Sequence, residues 1–276
     1  MGNTRFQVTQ ELRNATRAVS KVLSEFNPRI TQEAICNSIY IAGGAITSSM
    51  AGKAPADYDF YFRNQEDMTV LLSRFLPKTC SFFEVLPGVY EMDPGDEDLS
   101  RRPAKKDTSY RIHVTKQSVT FTEKLTGKKY QLVTRFCAEP DALFETYDFY
   151  HCMAYYHAAY KAMGVDPEDT LVFHPKALPS MASKTLQYSS SRFPIKALLR
   201  AHKFIRRGWT CPGEELLKIS CDIHDLNLKE KSVFLYQLRG FYGEEFRALE
   251  TRIGSIPDED FNKKAAIQAI EELLNY

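Results

Sequence analysis

Near the amino terminus, Val8, Leu12, Ala15, Val19 and Leu23 fall three or four residues apart. That spacing predicts one apolar stripe on a helix over about 7–26. Asn27-Pro28 breaks it, and a short helix from Thr31 to Asn37 leads into an apolar run at Ile39 that reads as a strand. "AGGAITSSMAGK" reads as a glycine turn followed by a short helix, and "YDFYF" as a second strand. The next helix spans Asn64 to Leu76, with Asn64 as its N-cap. "SFFEVL" has strand character, and "EMDPGDEDLSRRPAKKD" reads as a Pro-, Gly- and charge-rich loop. Two alternating runs around a glycine turn, "SVTFTEK-LTG-KKYQLVTRF", predict a hairpin. Beyond Pro140 the pattern turns helical, with candidate helices at 140–163, 193–207, 230–253 and 258–274. The break at Gly164-Val165-Asp166-Pro167 divides the chain into a mixed α/β domain, 1–165, and a helical domain, 166–276.

Composition narrows the class. The chain has 276 residues, 43% hydrophobic and 26% charged, which is ample for a large core. The formal net charge of +1 means that any nucleic-acid site must be a local patch. The polar start, the lack of a membrane-length apolar run and six scattered cysteines lead us to expect a cytoplasmic protein with reduced thiols and no membrane partner. There is no internal repeat, and no G-x-S-x-G, H-E-x-x-H or Walker P-loop.

The chemistry begins at "IYIAGGAITSSMAGKAPADYDFYF". A carboxylate on an otherwise apolar strand is costly unless it is paired or binds a cation. Strand residues two apart point the same way, so Asp57 and Asp59 converge on one face. Two such charges suit a hard divalent cation such as Mg²⁺, which usually arrives with phosphates. Gly43-Gly44, at the start of a short helix, offers backbone N–H groups to a phosphate. Metal carboxylates beside a phosphate cradle point to phosphoryl or nucleotidyl transfer.

The same stretch resembles the head signature of CCA-adding enzymes and bacterial poly(A) polymerases, roughly h-h-G-G-x-h-R-D-x-h-h-G-x-x-x-x-D-h-D-h. The glycines, Gly52 and both aspartates match in register, while Thr47-Ser48 replace the Arg-Asp pair. "KYQLVTRF" is similar to a later head strand ending in arginine, here Arg135, with Gln131 where an acid is common. "TYDFYHCMAYY" resembles R-R-D-F-T-x-N-A-x-A, keeping Asp148 and Phe149 and losing both arginines. "LVFHPKAL" resembles the D-P that follows, with His174 for the aspartate. "FPIKALLRAHKFIRRGW" resembles the neck segment D-P-L-R-x-L-R-A-x-R-F-A-x-x-x-G-F, although Arg192-Phe193-Pro194-Ile195-Lys196 replace the base-selecting E-D-x-x-R.

The resemblance covers about 39–219. It implies an α+β nucleotidyltransferase (DNA polymerase β-like) head, with a mixed sheet and flanking helices, followed by an all-helical neck and tail. It also implies Mg²⁺, two ions, held by the catalytic Asp57 and Asp59, and an NTP contacted by Gly43, Gly44, Ser48, Arg135, Asp148, Lys196 and Arg200. Asp148 is in addition a candidate third carboxylate. The acceptor it suggests is an RNA 3′ end, such as that of tRNA.

Between Asp169 and Glu214 there are eight Lys or Arg and no acid. Lys196, Arg200, Lys203 and Arg207 recur at helical spacing, opposite Ile195, Leu198, Leu199 and Ile205, which makes Lys203 and Arg207 candidate RNA contacts. Two other readings stay open: transfer to a protein or small molecule, or synthesis of a second messenger; and a non-catalytic nucleotide- or RNA-binding protein of the same fold.

Overall fold

The amino-terminal stripe folds as helix α1 (Arg5–Phe26). A capping box starts it: the Thr4 hydroxyl accepts from the Gln7 amide, and the Gln7 side chain accepts from the Thr4 amide. Val8, Leu12, Val19 and Leu23 are buried, so the apolar stripe is the packed face. The computed structural model describes residues 4–95, 99, 109–158, 170–238 and 250–274.

Helix α2 (Gln32–Ser38) runs directly into β1 (Ile39–Ala42), followed by α3 (Gly44–Met50), β2 (Tyr58–Phe62) and α4 (Gln65–Leu72). As expected, Asn64 caps α4, accepting from the Asp67 amide. Strands β3 (Ser81–Leu86), β4 (Val89–Asp93), β5 (Tyr110–Val114), β6 (Ser118–Glu123) and β7 (Lys129–Cys137) come next. Helix α5 (Pro140–Phe144), β8 (Ala154–His157), β9 (Thr170–Phe173) and α6 (Ala177–Ser183) follow. Further helices among the described residues are α7 (Pro194–Arg206), α8 (Gly213–His224), α9 (Lys231–Leu238) and α10 (Lys263–Leu274).

The strands form one mixed sheet in the order β3-β4-β7-β2-β1-β8-β9, with the β5–β6 hairpin joined to β7 through β6. Among the described residues every pairing is antiparallel except β2 with β7. Alternation sorts the strand residues into two faces. One face carries Ile39, Ile41, Phe60, Phe62, Phe121 and Leu132, all at most 1% exposed. Tyr58 shares this face and bonds to α1, and Phe121 meets Phe75 edge-on, so this is the face that the helices cover. The other face carries Tyr40, Tyr61 and Tyr155, whose rings pack together, and also Asp59.

The chain divides into two compact units. One comprises Met1–Glu145 with His151–Leu178, and the other Thr146–Tyr150 with Pro179–Tyr276. The first is α+β. The second is helical, with two isolated bridges, Phe149 to Tyr188 and Thr185 to Thr210.

Several sequence expectations change here. The helix expected over 140–163 stops at Phe144; a 3₁₀ turn at Tyr150–Cys152 and strand β8 replace its middle, and 159–163 lie outside the described residues. Strand β8 forms because β1 and β9 pair with it on both sides, and that tertiary context overrides the local pattern. The division expected at 165–166 falls within 159–169, outside the described residues. The first unit continues through β9, while 146–150 pack with the second. Of the expected 230–253 helix, α9 and a helical turn at 250–254 are described, and 239–249 lie outside. A 3₁₀ turn at Asp258–Asp260 precedes α10, so the helix expected from 258 starts later. Of the loop expected over 91–107, Glu91 to Asp93 belong to β4, and 96–98 and 100–107 lie outside the described residues.

Candidate active site

Strand β1 pairs antiparallel with β2, Ile39 opposite Phe62 and Ile41 opposite Phe60. That antiparallel pairing brings the carboxyl end of β1, where Gly43 and Gly44 follow Ala42, to the end at which β2 begins, just after Asp57. The glycine turn and the aspartates therefore meet at one end of two adjacent strands. Gly43 has φ 84° and ψ −137°, a conformation that L side chains rarely adopt, and its amide donates to the Ala154 carbonyl at 3.1 Å. Gly44 opens α3 and is exposed, and a Cβ added there would meet nothing within 4 Å. Gly52, with φ 70°, closes the turn after α3. Thr47, where the resembling family has arginine, donates its hydroxyl to the His151 carbonyl at 2.8 Å, and Ser48 beside it is half-buried.

Asp57 is exposed and stands one residue before β2, whereas Asp59 lies within the strand and is half-buried. The expectation of two strand carboxylates thus holds for Asp59 alone. Tyr58 between them is 3% exposed and points to the helix side, so Asp59 lies on the opposite face. The Tyr58 hydroxyl donates to Glu11 of α1 at 2.7 Å, and the Ser49 hydroxyl of α3 donates to the other oxygen of the same carboxylate at 2.5 Å. Burial first, and then this bond to Glu11, hold the Tyr58 phenol well above its usual pKa.

On the other side of β2, Asp59 faces Gln131 of β7 in parallel register, and Gln131 faces Thr120 of β6, which faces His113 of β5. The strand position that would add a third acid therefore carries a neutral amide. Arg135 lies four residues further along β7, past a register shift, and about 13 Å from Gln131 at strand rise. It is half-buried, with its guanidinium carbon 6.0 Å from the Phe136 ring centre.

In the second unit Asp148 is 5% exposed. One of its oxygens accepts from the Arg200 guanidinium at 2.5 Å and the other from the Ser191 hydroxyl at 2.7 Å. Two of the expected nucleotide contacts thus pair with each other, and both oxygens of the candidate third carboxylate are engaged. On α7, Pro194, Ile195, Ala197 and Ala201 are buried, Lys196 and Arg200 are half-buried, and Lys203, Arg206 and Arg207 are exposed. Ile205, expected on the apolar side, is 44% exposed, and Arg207 caps the helix rather than belonging to it. Tyr155 packs against Tyr40 and Phe144.

Among the described residues no three His, Cys, Asp or Glu side chains gather as a metal site. Two carboxylates at a solvent-facing strand end nevertheless fit Mg²⁺, which keeps several waters and takes one or two protein carboxylates together with substrate phosphates. A second ion there would draw its remaining donors from substrate and water, because Gln131 adds no charge.

Sequence reasoning missed Glu11. Its signal was present: position 11 falls inside the apolar stripe of α1, between Val8 and Leu12.

A family model described as Gabija anti-defense 2 family protein matches residues 17–184, more than half of the chain. The "Gabija anti-defense 2" protein of Bacillus phage SPbetaL7 is 26% identical over 240 residues, which cover 86% of this chain and 50% of that protein. The chain thus spans about half the length of this curated relative. Solved structures with a similar backbone include the Thermotoga maritima CCA-adding enzyme complexed with tRNA, at 13% identity and TM-score 0.44, covering 95% of this chain and 53% of that one. A CCA-adding enzyme in apo form II gives 14% identity and TM-score 0.46, covering 98% and 55%. By the match of its family model, the chain belongs to the Gabija anti-defense 2 family.

Proposed function

We propose that this protein is a Mg²⁺-dependent nucleotidyltransferase that moves a nucleoside monophosphate from an NTP to an acceptor hydroxyl. The observation that carries this reading is the β1–β2 register, which sets the Gly43-Gly44 turn beside the strand end bearing Asp57 and Asp59. The acceptor oxygen bonds to the α-phosphorus, the bond from that phosphorus to the bridging oxygen breaks, and pyrophosphate leaves with the electron pair. The hydroxyl proton passes to solvent.

Asp57 and Asp59 hold the metal, which when bound neutralises charge building on the triphosphate oxygens. The Gly43 N–H is held by the Ala154 carbonyl, which fixes the turn, so the phosphates are oriented by the exposed backbone at Gly44, where a Cβ would meet nothing within 4 Å, and Ser48 lies one turn along α3. Within the first unit Arg135 joins the expected nucleotide contacts, and within the second Asp148 holds the Arg200 guanidinium beside Lys196 on α7. Lys203 and Arg207 bind the phosphates of an RNA acceptor ending in a 3′ hydroxyl. The reaction takes place in the cytoplasm.

Family membership raises a second acceptor. The phage relative is named for opposing a defence called Gabija, so a component of that defence would receive the nucleotide and be inactivated. Incubating the protein with each labelled NTP, Mg²⁺ and extract from cells with or without Gabija separates the two. Label in RNA from both extracts supports the first reading, and label in protein only where Gabija is present supports the second. Label in neither fraction, with pyrophosphate undetected, refutes transfer.

A further inference from the structure

The apolar stripe of α1 contains one acid, Glu11, whose two carboxylate oxygens are used by two different elements. Oε2 accepts from Ser49, which is fully buried in α3, and Oε1 accepts from Tyr58 in β2. Ser49 stands in the helix that follows the glycine turn, and Tyr58 stands between the two aspartates. One side chain from a third element therefore ties together the two parts of the candidate site, from the face opposite Asp59.

We propose that Glu11 is a positioning residue, which fixes the spacing between the Gly43-Gly44 turn and the Asp57/Asp59 pair by holding Ser49 and Tyr58 together. The role rests on the nucleotidyl-transfer reading of that site. The chemistry favours it over plain core filling. A residue that only filled the core would be apolar, like Val8, Leu12 and Ala15 around it, whereas a carboxylate accepts two hydroxyl bonds at once with both donors ionically assisted. Strand geometry passes the constraint on: with Tyr58 anchored to α1, its neighbours on the chain are turned to the opposite face. A glutamine at position 11 offers a single acceptor oxygen, so one of the two hydroxyls loses the acceptor for its proton.

The test uses the full chain with Mn²⁺ and a non-hydrolysable NTP, reading Mn²⁺ binding by electron paramagnetic resonance and amide hydrogen exchange without ligand. Groups that orient metal ligands typically change metal affinity by about tenfold to a hundredfold when removed, and Glu11→Gln is expected to weaken Mn²⁺·NTP binding within that range. Exchange should quicken at amides 44–47 and 58–60 together. Tyr58→Phe removes one bond only and should give a smaller loss of the same kind, which keeps the idea testable if Glu11→Gln does not fold. Adding Glu11→Gln to a Ser49→Ala/Tyr58→Phe double variant should change affinity no further, because all three act as one unit.

If the wild-type protein takes up no Mn²⁺·NTP, the nucleotidyl-transfer reading fails and the positioning role falls with it. If the wild type binds, and folded Glu11→Gln or Tyr58→Phe binds equally well with unchanged exchange at both segments, the positioning role alone is overturned. A lowered melting temperature with unchanged Mn²⁺ affinity has the same meaning.

Discussion

Gly43→Ala and Gly44→Ala, adjacent and chemically identical changes, should act on stability in opposite directions. At Gly43 the backbone sits at φ 84° and ψ −137°, near a region that glycine alone enters freely. Holding alanine there costs about 1–3 kcal/mol. Gly44 lies in the first turn of α3, and a Cβ there touches nothing within 4 Å. Alanine in a helix is favoured over glycine by about 0.5–1 kcal/mol. For a chain of this size each kcal/mol moves the melting temperature by roughly 2–4 °C. Gly43→Ala should therefore melt roughly 2–12 °C below the wild type, and Gly44→Ala level with it or up to about 4 °C above. If phosphate oxygens approach the turn, the empty space beside Gly44 is the space they use, and the new methyl group displaces them. The assay is thermal unfolding with and without Mg²⁺ and each NTP. Gly44→Ala should keep its stability and lose the nucleotide-induced rise in melting temperature. A full nucleotide-induced rise in Gly44→Ala would refute the turn as the phosphate cradle, and wild-type stability in Gly43→Ala would refute the backbone argument.

The remaining expectations are briefer. Asp57→Asn and Asp59→Asn should each abolish nucleotide transfer at unchanged melting temperature, a loss of about several kcal/mol in the transition state; near-normal labelling of the acceptor by either variant removes the metal assignment. Replacing Lys203 and Arg207 by Gln should flatten the salt dependence of RNA binding by about 0.7 in log–log slope for each lost phosphate contact, read from titrations at several salt concentrations. An identical slope would show a merely solvated helix face. Burial, aided by Asp67 and Glu84, pushes the Cys137 thiol from its usual 9.0 up to about 12. The folded state thus disfavours the thiolate, so this contribution to stability is complete below pH 9 and is lost as pH rises through 12. Melting temperatures of Cys137→Ala should fall less steeply than the wild type over that window, and parallel curves would count against the assignment.

Much of the site was legible because its signals are local. The Gly-Gly pair after an apolar run and the Asp-Tyr-Asp triplet need only the chain itself to place turn and strand; the turn lies where the pattern puts it, and the strand takes in Asp59 but starts one residue after Asp57. Helix α7 was legible in extent, expected over 193–207 and found at Pro194–Arg206, but of the apolar side expected at Ile195, Leu198, Leu199 and Ile205 only Ile195 is buried. Strand β8 was not, because "AYYH" takes its conformation from β1 and β9 rather than from its own alternation. Asp148 shows a third kind of limit. Its motif neighbours marked it as a nucleotide contact, but its carboxylate is committed to Arg200 and Ser191, 52 and 43 residues away in sequence. Glu11 was hidden by its own stripe: one acid among apolar positions has a meaning only when Ser49 and Tyr58 are seen to converge on it.

The five-residue stretch Thr146–Tyr150, flanked by the first unit and packed with the second, has a consequence for how the chain is made. During synthesis Asp148 leaves the ribosome well before its partners. At about 5–20 residues per second, the 52 residues to Arg200 take roughly 3–10 s. For that interval the carboxylate that ends up 5% exposed has no guanidinium to meet, so it must remain in water and its stretch must stay undocked. The later unit therefore closes around a segment that was born early, and no single cut separates the two units. A fragment ending at Leu178 would carry Asp148 and Phe149 without their partners, while one starting at Pro179 would hold Arg200 and Tyr188 without theirs.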